Sequence, residues 1–378
     1  GRAERYAREI VPSFSAFTYF SFGIKASRWL SEALFKVRLG HEDEEALQAV
    51  DPDDTVVFVM NHKSNMDYIL VTYLAASRSA LSYAVGEWAS VWPLKPLVRS
   101  TGAYFIRRKS RNALYRKVLA RYVQMATEAG VAQAIFPEGG LSRDGAIHPP
   151  KLGILNYIVS GFSPTEGRDV VFIPVGLNYD RVLEDRVLLS MGRNERASFW
   201  AKVRGGVRVV FNHLLLRLTG RFRRFGYASV SFGTPISLRG FLKGQDDVSH
   251  EALTKNLGRS LMQNVAKAVP VMPVPVIAAV LESQIDKKIG REELHRESMA
   301  KLDWLIRKGA SLQFTREEMD GVIHEGIRHL VYRGILQQDT DDGPLYVDPE
   351  ERDLVGFYAN SIAHLGKAVK AVNPAKRG

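Results

Sequence analysis

One stretch limits what this chain can fold into. The run Val56-Val57-Phe58-Val59-Met60 stops against Asn61-His62-Lys63-Ser64-Asn65-Met66-Asp67. A β-branched and aromatic run of this length reads as a buried strand. Ser64 or Asn65 can cap a helix that continues through Tyr68, Ile69, Leu70, Val71 and Leu74. His62 then lies in the turn at the carboxyl end of a strand, where open α/β sheets place ligands. Asp67 falls in the first helical turn, within reach of the imidazole. A carboxylate on one ring nitrogen fixes the tautomer and leaves the other nitrogen to take a proton. His62 is therefore a candidate general base and Asp67 its orienter. The plain alternative is a surface turn with a solvated histidine and a capping aspartate.

The same alternation of period continues along the chain. Strand candidates cover 55–60, 81–85, 103–106, 132–136, 170–175 and 227–232, with helical stretches at 64–76, 110–128 and 152–160. Strands alternating with helices predict an α/β fold: a mixed, largely parallel sheet flanked by helices. Past Gly240 the pattern turns mainly helical. Val248, Leu253, Leu257, Leu261, Val265 and Val269 form one stripe, stopped by Pro270, Pro273 and Pro275. Further helical patterns cover 291–308, 315–333 and 351–370, and Ile335 to Val347 reads as a hairpin. A helix followed by a hairpin invites a winged-helix reading. Without a distinct basic recognition helix it is taken as structural packing. The predicted division is an amphipathic helical segment over 1–50, a catalytic domain over 51–240 and a helical region over 241–378.

Two segments point outward. Residues 12 to 40 are rich in aromatics, including Phe14, Phe17, Tyr19, Phe20, Phe22, Trp29 and Phe35, with Ile24, Leu30, Leu34 and Val37 at approximate helical spacing. Such a helix can lie in a membrane interface or pack on the core. From Phe199 to Phe225 there are seven Lys or Arg and no acid, among them Arg217, Arg221, Arg223 and Arg224. With bulky apolar neighbours these four are candidates for contact with anionic lipid; a nucleic-acid patch and a solvated basic face are the alternatives. The net charge of +11 favours anionic partners without choosing among them. No uncharged run is long enough to suggest a membrane span, and no signal peptide is recognised, because Glu4 and Glu9 interrupt the basic start.

Some chemistry is excluded. There is no cysteine, so no thiol nucleophile, disulfide or cysteine metal site. A Gly-x-Ser-x-Gly elbow, a phosphate-binding Gly-x-x-x-x-Gly-Lys-Ser/Thr loop, a Gly-x-Gly-x-x-Gly fingerprint and His-Glu-x-x-His are all missing. No His/Asp cluster near His62 has metal-ligand spacing, so neither a metal nor a cofactor is expected. Ser64 reads as a helix cap rather than a nucleophile.

Three more stretches follow in order: Gly102-Ala103-Tyr104-Phe105-Ile106-Arg107-Arg108, Phe136-Pro137-Glu138-Gly139-Gly140-Leu141-Ser142-Arg143, and Val171-Phe172-Ile173-Pro174-Val175-Gly176-Leu177-Asn178-Tyr179-Asp180-Arg181. With Asn-His-x-x-x-x-Asp they resemble the four blocks of the glycerophospholipid acyltransferases. The arginine pair and the Tyr-Asp-Arg ending look most like the glycerol-3-phosphate acyltransferase branch. The resemblance covers roughly residues 50 to 240, and the C-terminal part more weakly. It implies acyl transfer from acyl-CoA or acyl-carrier protein to the sn-1 hydroxyl of glycerol 3-phosphate, giving lysophosphatidate. A peripheral place on the cytoplasmic face of an anionic membrane is expected, with no nucleic acid as partner. Direct transfer from an activated thioester needs a base but no enzyme nucleophile. Arg107 or Arg108 at a strand end, the turn Glu138-Gly139-Gly140, and Arg143 and Lys151 beyond it are the candidates for holding the acceptor phosphate. Leu141 stands where the family commonly has arginine, which leaves room for lysophosphatidate or dihydroxyacetone phosphate as acceptor. A different class, a non-enzymatic basic protein binding membrane or nucleic acid, would show no polyol-phosphate-dependent release of CoA.

Overall fold

The structure is a computed structural model, and it describes residues 1–11, 23–41, 43–75, 82–85, 104–105, 112–192, 225–245 and 247–366. Eight strands form one sheet: β1 (Lys36–His41), β2 (Thr55–Met60), β3 (Ser82–Val85), β4 (Tyr104–Phe105), β5 (Gln133–Ile135), β6 (Val170–Tyr179), β7 (Tyr227–Phe232) and β8 (Ile236–Ser237). Their order is β1-β7-β6-β2-β5-β3-β4, with β8 also on β6. Pairing is parallel except where β6 meets β7 and β8. The expected mixed, largely parallel sheet is the observed one. A separate antiparallel hairpin, β9 (Leu336–Gln338) and β10 (Leu345–Val347), lies where the sequence places it.

The sheet is covered on both faces, which is why β2 and β6 are almost uninterrupted apolar runs. Side chains alternate between the two sides. Phe58, Met60, Ile173, Val175 and Leu177 share one core with helix Met66–Ala75 and the C-terminal helices. Val57, Val59, Val170 and Phe172 share the other with helices Arg2–Ile10, Ala113–Glu128, Gly153–Ser160 and His250–Ala268.

Two readings of the sequence need correction. The helical spacing extended to Val37, but the helix ends at Leu34 and the chain turns directly into β1, parallel to β7. Period two explains this better. Lys36 and Arg38 alternate with Val37 and Leu39, and the two cations pair with Glu325 and Glu318 of helix Arg316–Tyr332, each at 2.7 Å. The sheet therefore begins before residue 51. Second, Pro273 and Pro275 do not merely stop a helix; they open one, Pro273–Glu282. The first amides of a helix have no intrahelical acceptor, so proline there costs nothing and fixes φ. Helix Pro273–Glu282 is buried along nearly its whole length and carries the C-terminal helices against the sheet.

Asp180 ties the sheet to that helix. One carboxylate oxygen accepts from the Tyr227 amide at 3.0 Å and the other from the Val274 amide at 2.9 Å, in the first turn of Pro273–Glu282. A negative charge there meets the positive end of the helix dipole. Gly226 permits the approach: its φ is +87°, and a Cβ would lie 2.7 Å from the Asp180 Cβ. Burial outweighs both amide bonds and pushes the Asp180 carboxyl up to about 7. A folded pKa above the unfolded value of 3.8 means that the native state holds a proton the unfolded chain releases. The stability tied to that proton is complete below about pH 4 and is lost as pH rises through 7. Over that range it amounts to about 4 kcal/mol. In urea titrations Asp180→Asn should therefore lose stability less steeply than wild type between pH 4 and 7. Identical slopes would count against this account.

Candidate active site

The turn after β2 is built from the backbone outward. Asn61 prolongs the β2–β6 ladder with its side chain: its Nδ2 donates to the Leu177 carbonyl at 2.9 Å and its Oδ1 accepts from the Leu177 amide at 2.8 Å. An amide side chain carries one donor edge and one acceptor edge, so it replaces a peptide group here. The next four amides all donate to carboxylates. His62 donates to Glu138 at 3.0 Å, Lys63 and Ser64 to Asp67 at 2.7 and 3.0 Å, and Asn65 to Glu184 at 3.1 Å. Met66 then donates to the Ser64 hydroxyl at 3.1 Å, which itself donates to Glu184 at 2.7 Å. Ser64 thus caps the helix start.

His62 and Asp67 meet as their spacing predicts. Nδ1 lies 2.9 Å from Asp67 Oδ2, with both side chains almost wholly buried. Asp67 accepts only, so Nδ1 carries the hydrogen and Nε2 presents a lone pair. The Tyr68 hydroxyl is 3.4 Å from Nε2, too far for a strong bond. The Phe136 ring packs on the imidazole, with centroids 4.3 Å apart. This leaves an oriented base able to take a proton from a hydroxyl placed at Nε2.

The third block folds over this turn. The Ser142 amide donates to the His62 carbonyl at 3.0 Å. Glu138 uses one oxygen on the His62 amide and the other on the His148 amide, at 2.9 Å. Burial pushes its carboxyl up. Glu138 therefore positions the His62 turn. Gly139 has φ +69°, and the Lys151 side chain lies across it: a Cβ there would meet Lys151 Cδ at 2.7 Å and Nζ at 3.2 Å. Arg143 and Lys151 are exposed, Gly140 is half-buried, and Leu141 packs against the apolar core. Arg107, Arg108, Arg217, Arg221, Arg223 and Arg224 lie outside the described residues.

Sequence reasoning gave no role to Lys63, Glu184 or Tyr179. Lys63 is buried, donates to the Gly145 carbonyl, and is pushed down to about 8 by desolvation. Burial pushes the Glu184 carboxyl up. The Tyr179 hydroxyl donates to Asp67 Oδ1 at 2.6 Å. Glu184 and Tyr179 act across more than a hundred residues, so only the Tyr-Asp-Arg sequence at the end of β6 pointed toward them. Elsewhere among the described residues, ligand atoms of His295, Asp320 and His324 lie within 4.8 Å of one another, a group the sequence pattern did not reveal. Both imidazoles also face the Asp320 carbonyl, at 3.2 and 2.9 Å.

Residues 39–178 match the family model described as Acyltransferase, and residues 213–366 the one described as Glycerol-3-phosphate acyltransferase C-terminal region. A protein named glycerol-3-phosphate acyltransferase from Pseudomonas putida (strain W619) is 28% identical over 385 residues, covering 96% of this chain and 45% of that protein. One of the same name from Pseudomonas syringae pv. syringae (strain B728a) is 29% identical over 388 residues, covering 96% and 44%. The chain thus spans less than half the length of these curated relatives. A crystal structure of the 1-acyl-sn-glycerophosphate (LPA) acyltransferase from Thermotoga maritima superposes with a TM-score of 0.38 at 19% identity, covering 65% of this chain and 76% of that one. The two family models are met in chain order, with the His62 site inside the first, and this chain is similar along most of its length to glycerol-3-phosphate acyltransferases.

Proposed function

We propose that the chain transfers a fatty acyl group from acyl-CoA or acyl-carrier protein to the sn-1 hydroxyl of glycerol 3-phosphate, giving lysophosphatidate. The observation that carries this reading is the buried His62–Asp67 pair with Nε2 left to accept a proton. The acceptor oxygen attacks the thioester carbonyl as its proton passes to Nε2. The tetrahedral intermediate collapses with cleavage of the C–S bond, and the departing sulfur takes the proton back from His62. An alcohol is too weak an acid to ionise first, so proton removal accompanies attack.

The distribution of charge supports one orientation of the acceptor. Asp67 and Glu138 are buried and Glu184 half-buried around the base, whereas Arg143 and Lys151 are exposed at the third block. A phosphate is repelled by the first group and attracted by the second, so the acceptor enters hydroxyl first. Arg107 or Arg108 is a further candidate for the phosphate. Leu141 offers no cation, which keeps lysophosphatidate and dihydroxyacetone phosphate as second acceptors to compare. No helix among the described residues is long and apolar enough to cross a membrane. We place the protein peripherally on the cytoplasmic face of an anionic membrane, held by Arg217, Arg221, Arg223 and Arg224. No cofactor, metal or nucleic acid enters the proposed reaction.

Three outcomes are expected. His62→Ala should lower turnover by about 10² to 10⁴ with the fold kept, as read by circular dichroism, and near-normal turnover would sink the mechanism. Arg143→Ala should raise acceptor KM by about ten- to a hundred-fold and leave donor KM unchanged, since a remote phosphate contact is made equally in ground and transition states. A rise in donor KM alone would instead assign Arg143 to the acyl carrier's phosphates. Binding to vesicles containing phosphatidylglycerol should weaken with salt and on replacing Arg221, Arg223 and Arg224 by Gln. Equal binding to neutral vesicles would remove the electrostatic role.

A further inference from the structure

Asp67 has two oxygens with different environments. Oδ2 takes three donors: His62 Nδ1 at 2.9 Å, the Lys63 amide at 2.7 Å and the Ser64 amide at 3.0 Å. Oδ1 takes the hydroxyl of Tyr179 at 2.6 Å. All three donors on Oδ2 come from the same turn as Asp67. The donor on Oδ1 comes from the end of β6, in the middle of the sheet. Tyr179 is fully buried, its ring packs on Phe35 with centroids 5.5 Å apart, and its strand is buried at every residue.

We infer that Tyr179 is a positioning residue for acyl transfer, its hydroxyl fixing Oδ1 of Asp67 so that Oδ2 stays on His62 Nδ1 and Nε2 stays aimed at the acceptor. This rests on the proposed role of His62 as base. Asp67 can turn about its terminal torsion, which is broad and two-fold. Local amides fix one oxygen; a donor from the sheet fixes the plane. A short bond from a neutral hydroxyl to a carboxylate is among the stronger hydrogen bonds. Burial first, and the Asp67 charge second, hold the Tyr179 phenol protonated far above neutral pH, so it donates throughout the working range. Tyr179 reaches the base only through Asp67.

The bond also affects the chemistry. As Nε2 takes the acceptor proton, His62 becomes an imidazolium facing Asp67. The carboxylate then faces the imidazolium on Oδ2, and Tyr179 holds part of its charge on Oδ1. Without that hydroxyl, Oδ1 loses its donor from the sheet, the carboxylate rotates more freely, and it pulls harder on the imidazole proton.

Tyr179→Phe removes one oxygen and keeps the ring. Expected are a fall in kcat of about ten- to a hundred-fold, with acceptor and donor KM changed less than about twofold. The acid limb of the kcat/KM profile should move to higher pH. In protein labelled with ¹⁵N-histidine, the downfield proton on His62 Nδ1 should shift or be lost to exchange. A lowered melting temperature with wild-type kcat, pH profile and downfield proton would make Tyr179 merely structural and overturn the inference. If Tyr179→Phe does not fold, 3-fluorotyrosine placed at position 179 gives a more acidic donor of nearly the same shape. The His62 resonance should then move, and an unmoved resonance would overturn the inference. Should His62→Ala retain turnover, the acyl-transfer reading fails on its own account. The resonance comparison would still decide whether Tyr179 governs the His62–Asp67 pair.

Discussion

Four consecutive amides, from His62 to Asn65, donate to three carboxylates, two buried and one half-buried, and the rest of the site depends on that arrangement. An unpaired amide or carboxylate inside a protein is costly. Here each solves the other's problem. The turn cannot relax without orphaning at least one charged group, so the imidazole is fixed before any substrate arrives. Such preorganisation is what a positioned base requires. Lys63 supplies the compensating cation, buried beside Glu138 and Asp67 and pushed down to about 8 by that burial.

Sheet topology brings the three acids together. Strands β5, β2 and β6 are neighbours, and β2 is parallel to both of the others. Their carboxyl ends therefore open on the same edge. Glu138 follows β5, Asp67 follows β2, and Glu184 follows β6. Each reaches the His62 turn from a different connection. Asn61 closes the remaining gap by continuing the ladder past Met60. The antiparallel return of β7 on β6 then sets Tyr227 beside Asp180, whose second oxygen holds helix Pro273–Glu282. The C-terminal helices are joined to the strand that carries Tyr179, one residue from the contact with Asp67.

Much of this was legible in the sequence because it is local. All six expected strands are present, since each is a short apolar run bounded by polar residues. The His62–Asp67 pair was legible because five residues of turn and helix bring the two together. Period misled at Val37, where an edge strand with alternating Lys36 and Arg38 also fits a helical stripe over a few residues. Proline misled at Pro273, because its meaning depends on which helical position it takes. Glu138 was read as part of an acceptor site from its block; that its oxygens face two amides depends on the fold. Glu184 and Tyr179 were given no role, since their partners follow the neighbouring strand β2, more than a hundred residues away in sequence.

The arrangement also explains why a site of this kind can do without a nucleophile. A serine beside the base would be the natural attacking group, and Ser64 is only two residues from His62. Its hydroxyl is already committed, donating to Glu184 and accepting from the Met66 amide. Freeing it would take a donor from Glu184 and open the helix start. The lone pair on Nε2 is therefore available to a hydroxyl brought from outside rather than to one of the enzyme's own. In the proposed reaction the thioester donor is already activated, and the incoming alcohol can attack it directly.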